Sequence, residues 1–330
     1  MSIATTSTAD RAPRRPSRPR RTSPRGSAFD TIFEGLCFFA ATALLASLGG
    51  VLISLAHDGW PAFAKFGLGF LTNSIWDPNP DHEVYGAAGP IVDTLITAIV
   101  ALALSLPIAG GVAFFLVELC PAFLRRTIGT AVELLAGIPS IVYGMWGLFV
   151  FAPFFSTHVQ LPLMAAAPPG SLMEKLVQGI PNGSGILSAS IILAIMILPF
   201  MAATLRELLM TVPPQVRESA YGLGATMQEV VMKVTLPYVR RSAIGAVMLG
   251  LGRALGETMA VTFVIGNSHG FPKGLFDGGS TIASTIANEF AEATGEMHTS
   301  ALIALGFVLF LITFVVLAIA RALLGGAKEA

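Results

Sequence analysis

Arg253 and Glu257 are the only charged residues in the apolar run from Ala243 to Ile265, within "LGLGRALGETMAVTF". On a continuous helix, residues four apart share a face. An Arg or Asp near the centre of a membrane helix costs roughly 2.5–3.5 kcal/mol. An i,i+4 pair returns only ~0.2–0.5 kcal/mol, and Arg before Glu is the poorer order. Pairing within the helix therefore does not account for the two charges, and charges inside a membrane are functional candidates by default.

The elements that must position them are apolar. Of 330 residues, 54% are hydrophobic and 12% charged, against roughly 25% charged in a soluble domain. The mean hydropathy is +0.73, as expected of an integral membrane protein. A bilayer core takes about 20 apolar residues of helix. Six runs qualify: 31–55, 91–117, 129–152, 185–205, 243–266 and 300–322. The third and fourth contain Pro139 and Pro199, expected as kinks. The fold class is thus all-α membrane protein with six transmembrane helices.

Lysines and arginines set the orientation. Seven arginines precede residue 26, in "RAPRRPSRPRRTSPRGS". Residues 1–28 are expected as a disordered cytoplasmic tail that sets topology, rather than a nucleic-acid-binding arm or a cleaved signal peptide. With the N-terminus inside, sixteen of the twenty Lys and Arg fall on cytoplasmic segments. Lys65, Lys175 and Lys273 fall outside and Arg253 lies in a span, a strong positive-inside bias. Both termini are expected in the cytoplasm. The first helix and an outer loop then occupy 29–90, the transmembrane domain 91–322 and a short tail 323–330. In the outer stretch 267–299, the spacing of Ile282, Ile286 and Phe290 suggests a helix lying near the outer surface.

Cys37 and Cys120 suggest buried thiols rather than a disulfide. The five histidines (57, 82, 158, 269 and 298) are scattered without HxxxH spacing. Neither metal nor cofactor is expected. None of the five lysines follows a glycine, so there is no Gly-Lys-[Ser/Thr] phosphate cradle and no P-loop ATP hydrolysis by this chain.

Between the fourth and fifth runs lies "RESAYGLGATMQEVVMKVTLPYVRR". Its small, apolar and charged residues predict two short helices, with Gly224 free to adopt the positive-φ turn between them. Pro237 is expected to end the second. Glu218-Ser219-Ala220, Gly224 and Val234-Thr235-Leu236-Pro237 stand in the register E-A-A-x3-G-x9-I-x-L-P, departing only at Ser219 and Val234. This resembles the EAA loop of binding-protein-dependent ABC importer permeases. The resemblance implies a type I permease fold, docking of a separate ATPase on 217–237, a second permease subunit and an extracytoplasmic binding protein. Glu218, Ser219, Ala220, Gly224, Leu236 and Pro237 become the candidate coupling residues.

Within that class, "ELLAGIPSIVYGMWGLFVF", "GAVMLGLGRALGETMAVTFVIGN" and "STIASTIANEFAEA" resemble a permease of bacterial phosphate importers. Other oxyanions, such as sulfate or molybdate, are the alternative. The resemblance implies inorganic phosphate as the solute. A guanidinium can hold two oxygens of such an anion, and a carboxylate one turn away would weaken that hold so that the anion leaves. A structural Arg253–Glu257 pair that fixes helix register stays open beside this. Small residues at 252 and 256, and at 246, 250 and 254, allow neighbouring helices close approach. In "ELLAGIPSIVYG", Glu133 is expected near the cytoplasmic entrance and a break around Gly137-Ile138-Pro139. Ser140 and Tyr143 can offer hydroxyls to a passing anion, or simply pack in the kink.

Overall fold

A computed structural model describes residues 28–79 and 82–325. Residues 1–27 of the expected tail 1–28, and the last five residues, lie outside them. By internal contacts the chain forms two units, one ending at Val51 and one beginning at Leu52. The first contributes the N-terminal part of helix α1 (Ala28–Phe66), an exposed apolar rod. Cys37 is exposed there, contrary to the expectation of two buried thiols, while Cys120 is buried.

In the second unit, a short helix α2 (Gly69–Thr72) leads to a two-stranded antiparallel ribbon pairing Trp76 with Tyr85. Helices α3 (Ala88–Leu119), α4 (Ala122–Ala136), α5 (Ser140–Ala166), α6 (Leu172–Leu176) and α7 (Ile186–Met210) follow. Then come α8 (Pro214–Gly222), α9 (Met227–Val230), α10 (Leu236–Leu255), α11 (Met259–Thr262), α12 (Ile282–Glu289) and α13 (Glu296–Gly325).

The core is a close pairing of α3 with α7. On α3, Ala98, Ala101, Ser105, Ala109 and Ala113 recur every three or four residues and are fully buried. That small-residue stripe lets the backbone of α7 approach at Ala189, Leu193, Ile197 and Met201, as membrane helices pack without a hydrophobic driving force between them. Helix α10 joins them through Ala246, Gly250 and Ala254. A Cβ at Gly250 would lie 2.9 Å from Met201 Sδ. The Gly252/Gly256 stripe makes no comparable approach.

Five described helices are long and apolar enough to cross a membrane: α1, α3, α5, α7 and α13. Two expected runs differ. The third is not 129–152: residues 122–136 form the separate helix α4, and the crossing helix starts at Ser140 after the Gly137-Ile138-Pro139 break. The fifth, 243–266, is not one helix: α10 stops at Leu255 and α11 restarts at Met259.

Pro237 does not end its helix. A five-residue π turn, Val231–Thr235, connects α9 to α10, and Pro237 lies in the first turn of α10. The same relation recurs at every described π turn. Phe115–Leu119, Gly147–Phe151 and Ser156–Gln160 end two residues before Pro121, Pro153 and Pro162. Where the helix continues through the proline, the ring clashes with the carbonyl four residues back, and one wide turn moves that carbonyl aside; at Pro121 the helix has already ended, with Cys120 extended.

Candidate functional site

The two helix breaks face each other. Helix α5 packs its first turns on α11, where a Cβ at Gly144 would sit 3.0 Å from Ala260 Cα and from Met259 O. Only glycine lets the two restarting helices meet so closely. The first turns of α5, which carry Ser140 and Tyr143, are thereby packed against α11.

The break separates Arg253 from Glu257. Arg253 is in the last turn of α10, exposed on the surface of this chain, with its guanidinium 5.6 Å from the centroid of Phe200. Glu257 lies beyond the helix end, and its Oε1 accepts the backbone N–H of Ala260 at 3.2 Å. The carboxylate thus satisfies a donor at the start of α11, where negative charge is favoured. No ion pair joins the two side chains, because the chain turns out of the helix at Gly256 before the second side chain can return to the face of the first.

Tyr143 donates its hydroxyl hydrogen to the Leu135 carbonyl at 3.1 Å. It braces the Gly137–Pro139 break and has no hydrogen left for an anion. The Ser140 hydroxyl makes no hydrogen bond among the described residues. Glu133 is drawn to Arg206, whose Nη1 lies 2.8 Å from Glu133 Oε1.

The loop after α7 presents an exposed knob. Gly224 has φ +84°, and Leu223 beside it is 90% exposed. Thr226 and Glu229 then form a reciprocal cap: Glu229 N–H donates to Thr226 Oγ1, and Thr226 N–H donates to Glu229 Oε2. Those bonds from Thr226, followed by Lys233 3.0 Å away, hold the Glu229 carboxyl down at about 2. Glu218 and Ser219 are exposed and Ala220 is half-buried. Leu236 is partly exposed and Pro237 is exposed, both in the first turn of α10.

Two clusters were not singled out from the sequence. Glu289 at the end of α12 accepts from Trp76 Nε1 (2.8 Å), His298 Nε2 (2.8 Å) and His269 Nε2 (3.0 Å). Tyr85 stacks on His298. Burial by itself raises the Glu289 carboxyl, but the hydrogen bonds from His269, Trp76 and His298 outweigh it and hold it below the usual range. Burial, with Glu83, Glu289 and Asp77 nearby, pushes the Tyr85 phenol up to about 12. The second cluster fixes the other end of α12. Buried Asp93 accepts the Ser280 N–H at 2.8 Å, and Thr94 Oγ1 accepts the Ile282 N–H at 2.9 Å. The first turn of α12 is consequently buried within the chain, while Phe290 is exposed. A lone Asp in the apolar run "IVDTLITAIV" was the available signal.

The chain matches the profile described as "Binding-protein-dependent transport system inner membrane component" over residues 85–326. It is 53% identical over 298 residues to the phosphate transport system permease protein PstC of Mesorhizobium japonicum, covering 89% of this chain and 90% of that one. The PstC of Pasteurella multocida is 50% identical over 295 residues, covering 89% and 91%. Among solved structures, a chain of a bacterial alginate ABC transporter, crystallised with an alginate pentasaccharide-bound periplasmic protein, superposes with a TM-score of 0.60. The identity is 18%, covering 91% of this chain and 96% of that chain, which speaks to fold alone. The chain belongs to the family of binding-protein-dependent transport system inner membrane components and, within it, to the PstC permeases.

Proposed function

We propose that this multi-pass inner-membrane chain forms, with a PstA-like second permease, the pathway for inorganic phosphate in an importer. A PstB-like ATPase supplies the energy and a PstS-like extracytoplasmic protein delivers the anion. Curated relatives at about half identity carry the phosphate permease name. The observation that carries the site is the exposed, unpaired Arg253 at the end of α10. It lies thirteen residues beyond Arg240, about 20 Å along the helix at ~1.5 Å per residue. A bare guanidinium at that depth is too costly against lipid, so this face belongs against a partner subunit or a wet pathway.

In this reading α10 and α11 together make a sixth crossing, although α10 carries Arg240, Arg241 and Arg253. The charge bias places both termini in the cytoplasm. Arg253 receives the anion with its fork, and Ser140 adds a hydroxyl donor. Glu257 keeps negative charge near without neutralising Arg253, which favours release. Tyr143 holds the break in shape. The loop 217–237 carries ATPase coupling. Glu218, Ser219 and Ala220 face the ATPase, Gly224 shapes the knob, and Leu236 with Pro237 transmits its movement into α10.

Uptake of labelled phosphate by the reconstituted four-component system tests the assignment, with sulfate and molybdate as competitors. Phosphate uptake indifferent to tenfold excess of either anion is expected. Preferential uptake of sulfate or molybdate would transfer the reading to those oxyanions.

A further inference from the structure

A cavity of about 610 Å³ opens beside the coupling loop, away from the Arg253 break. Arg125 and Arg126 of α4, Arg206 of α7 and Arg217 of α8 line it, with Glu218 and Tyr221 of α8. Three separate elements thus bring four guanidinium groups to one chamber. Two carboxylates are already engaged: Glu133 pairs with Arg206 at 2.8 Å and Glu118 with Arg217 at 2.9 Å. Arg217 also donates through Nη2 to the Leu209 carbonyl, and Arg125 to the Cys120 carbonyl at 3.4 Å.

The positive groups are not saturated by these partners. The Nε atoms of Arg206 and Arg217 are buried without a hydrogen-bond acceptor, and Arg126 has no partner among the described residues. A buried donor without an acceptor costs roughly 1–3 kcal/mol, more when charged. Gly129 lies against the Arg206 guanidinium, where a Cβ would sit 2.8 Å from its Cζ. Arg125 and Arg126 are exposed at this chamber and keep free donors that match the oxygens of a tetrahedral phosphoryl anion.

We propose that this chamber binds a phosphoryl group, as free inorganic phosphate or as an anionic lipid headgroup. Its cytoplasmic location rests on the orientation proposed above; its chemistry does not depend on which anion is transported. Because α8 forms one wall, an occupied chamber ties the coupling loop to α4 and α7.

The test uses the assembled complex carrying Arg253→Gln, so that pathway binding does not contribute. Equilibrium binding of labelled inorganic phosphate is measured in phosphatidylcholine nanodiscs, and retained phosphatidylglycerol is measured by native mass spectrometry after purification from mixed lipid. Each is repeated with Arg126→Gln and with Arg125→Gln/Arg126→Gln. A tenfold or greater loss of phosphate affinity in the double variant, with a smaller loss in Arg126→Gln, supports the free anion as occupant. Loss of one retained phosphatidylglycerol per chain instead supports the headgroup. Phosphate binding and lipid retention both unchanged in the two variants, or phosphate displaced equally well by chloride at equal ionic strength, would overturn the proposal. Failure of the transport reading would show in uptake by the unsubstituted complex and leave these binding results intact.

Discussion

Glu289 and Arg253 are both charged residues, but they are in opposite states. Glu289 is closed in by three donors from three parts of the chain. Among the described residues, Arg253 lies against the face of Phe200 and is otherwise exposed. A charge whose partners are complete holds structure together; a charge without partners awaits a ligand or another subunit.

The largest expected effect falls on the open charge. Arg253→Gln should lower phosphate uptake at least 100-fold while the yield of assembled complex stays near normal, and Arg253→Lys should keep part of the uptake because charge remains and the fork is lost. Collapse of assembly in Arg253→Gln would place Arg253 with Glu289 among the structural charges.

A smaller loss, in folding rather than transport, is expected at the closed end. A Cβ at Gly279 would lie 2.5 Å from Asp93 Oδ2, so Gly279→Val should cost ~1–3 kcal/mol through overpacking. It should appear as a lower thermal midpoint and lower membrane yield. A midpoint equal to the unsubstituted protein would mean that α12 is not anchored there.

The smallest effect is pH-dependent. The Glu289 carboxyl is held below the usual glutamate range, so the folded state favours its ionised form. That contribution is complete above the unfolded value and is lost as pH falls through the lower folded value. Glu289→Gln should reduce stability at neutral pH by ~1–2 kcal/mol, since hydrogen bonds to a charge are replaced by weaker ones. It should also flatten the acid limb of the midpoint-against-pH curve. An unchanged acid limb would remove Glu289 from that balance.

Much of this architecture was legible in the sequence where one physical rule decides. Of the six apolar runs, four coincide with α1, α3, α7 and α13, the third overlaps α5 only from Ser140 on, and Gly224 marked the positive-φ turn. What stayed hidden depends on long-range partners. The break after Leu255 carries no proline; it follows from Gly256 together with the cap that Glu257 makes on α11. Pro237 seemed a terminator because only the ring clash is visible in sequence, whereas the π turn that relieves it is visible only in the backbone. His269 and His298 looked scattered because Glu289 and Trp76, which gather them, are separated from one another by more than two hundred positions.

The central claim, that Arg253 serves an anion rather than Glu257, is tested most directly by exchanging the charges. In Arg253→Glu/Glu257→Arg, complex yield and labelled phosphate uptake are measured beside the single variants Arg253→Gln and Glu257→Gln. The account predicts assembled complex with uptake absent in the exchanged variant, because no guanidinium remains at position 253. Failure of assembly in both single variants, with assembly and uptake restored together by the exchange, would contradict it.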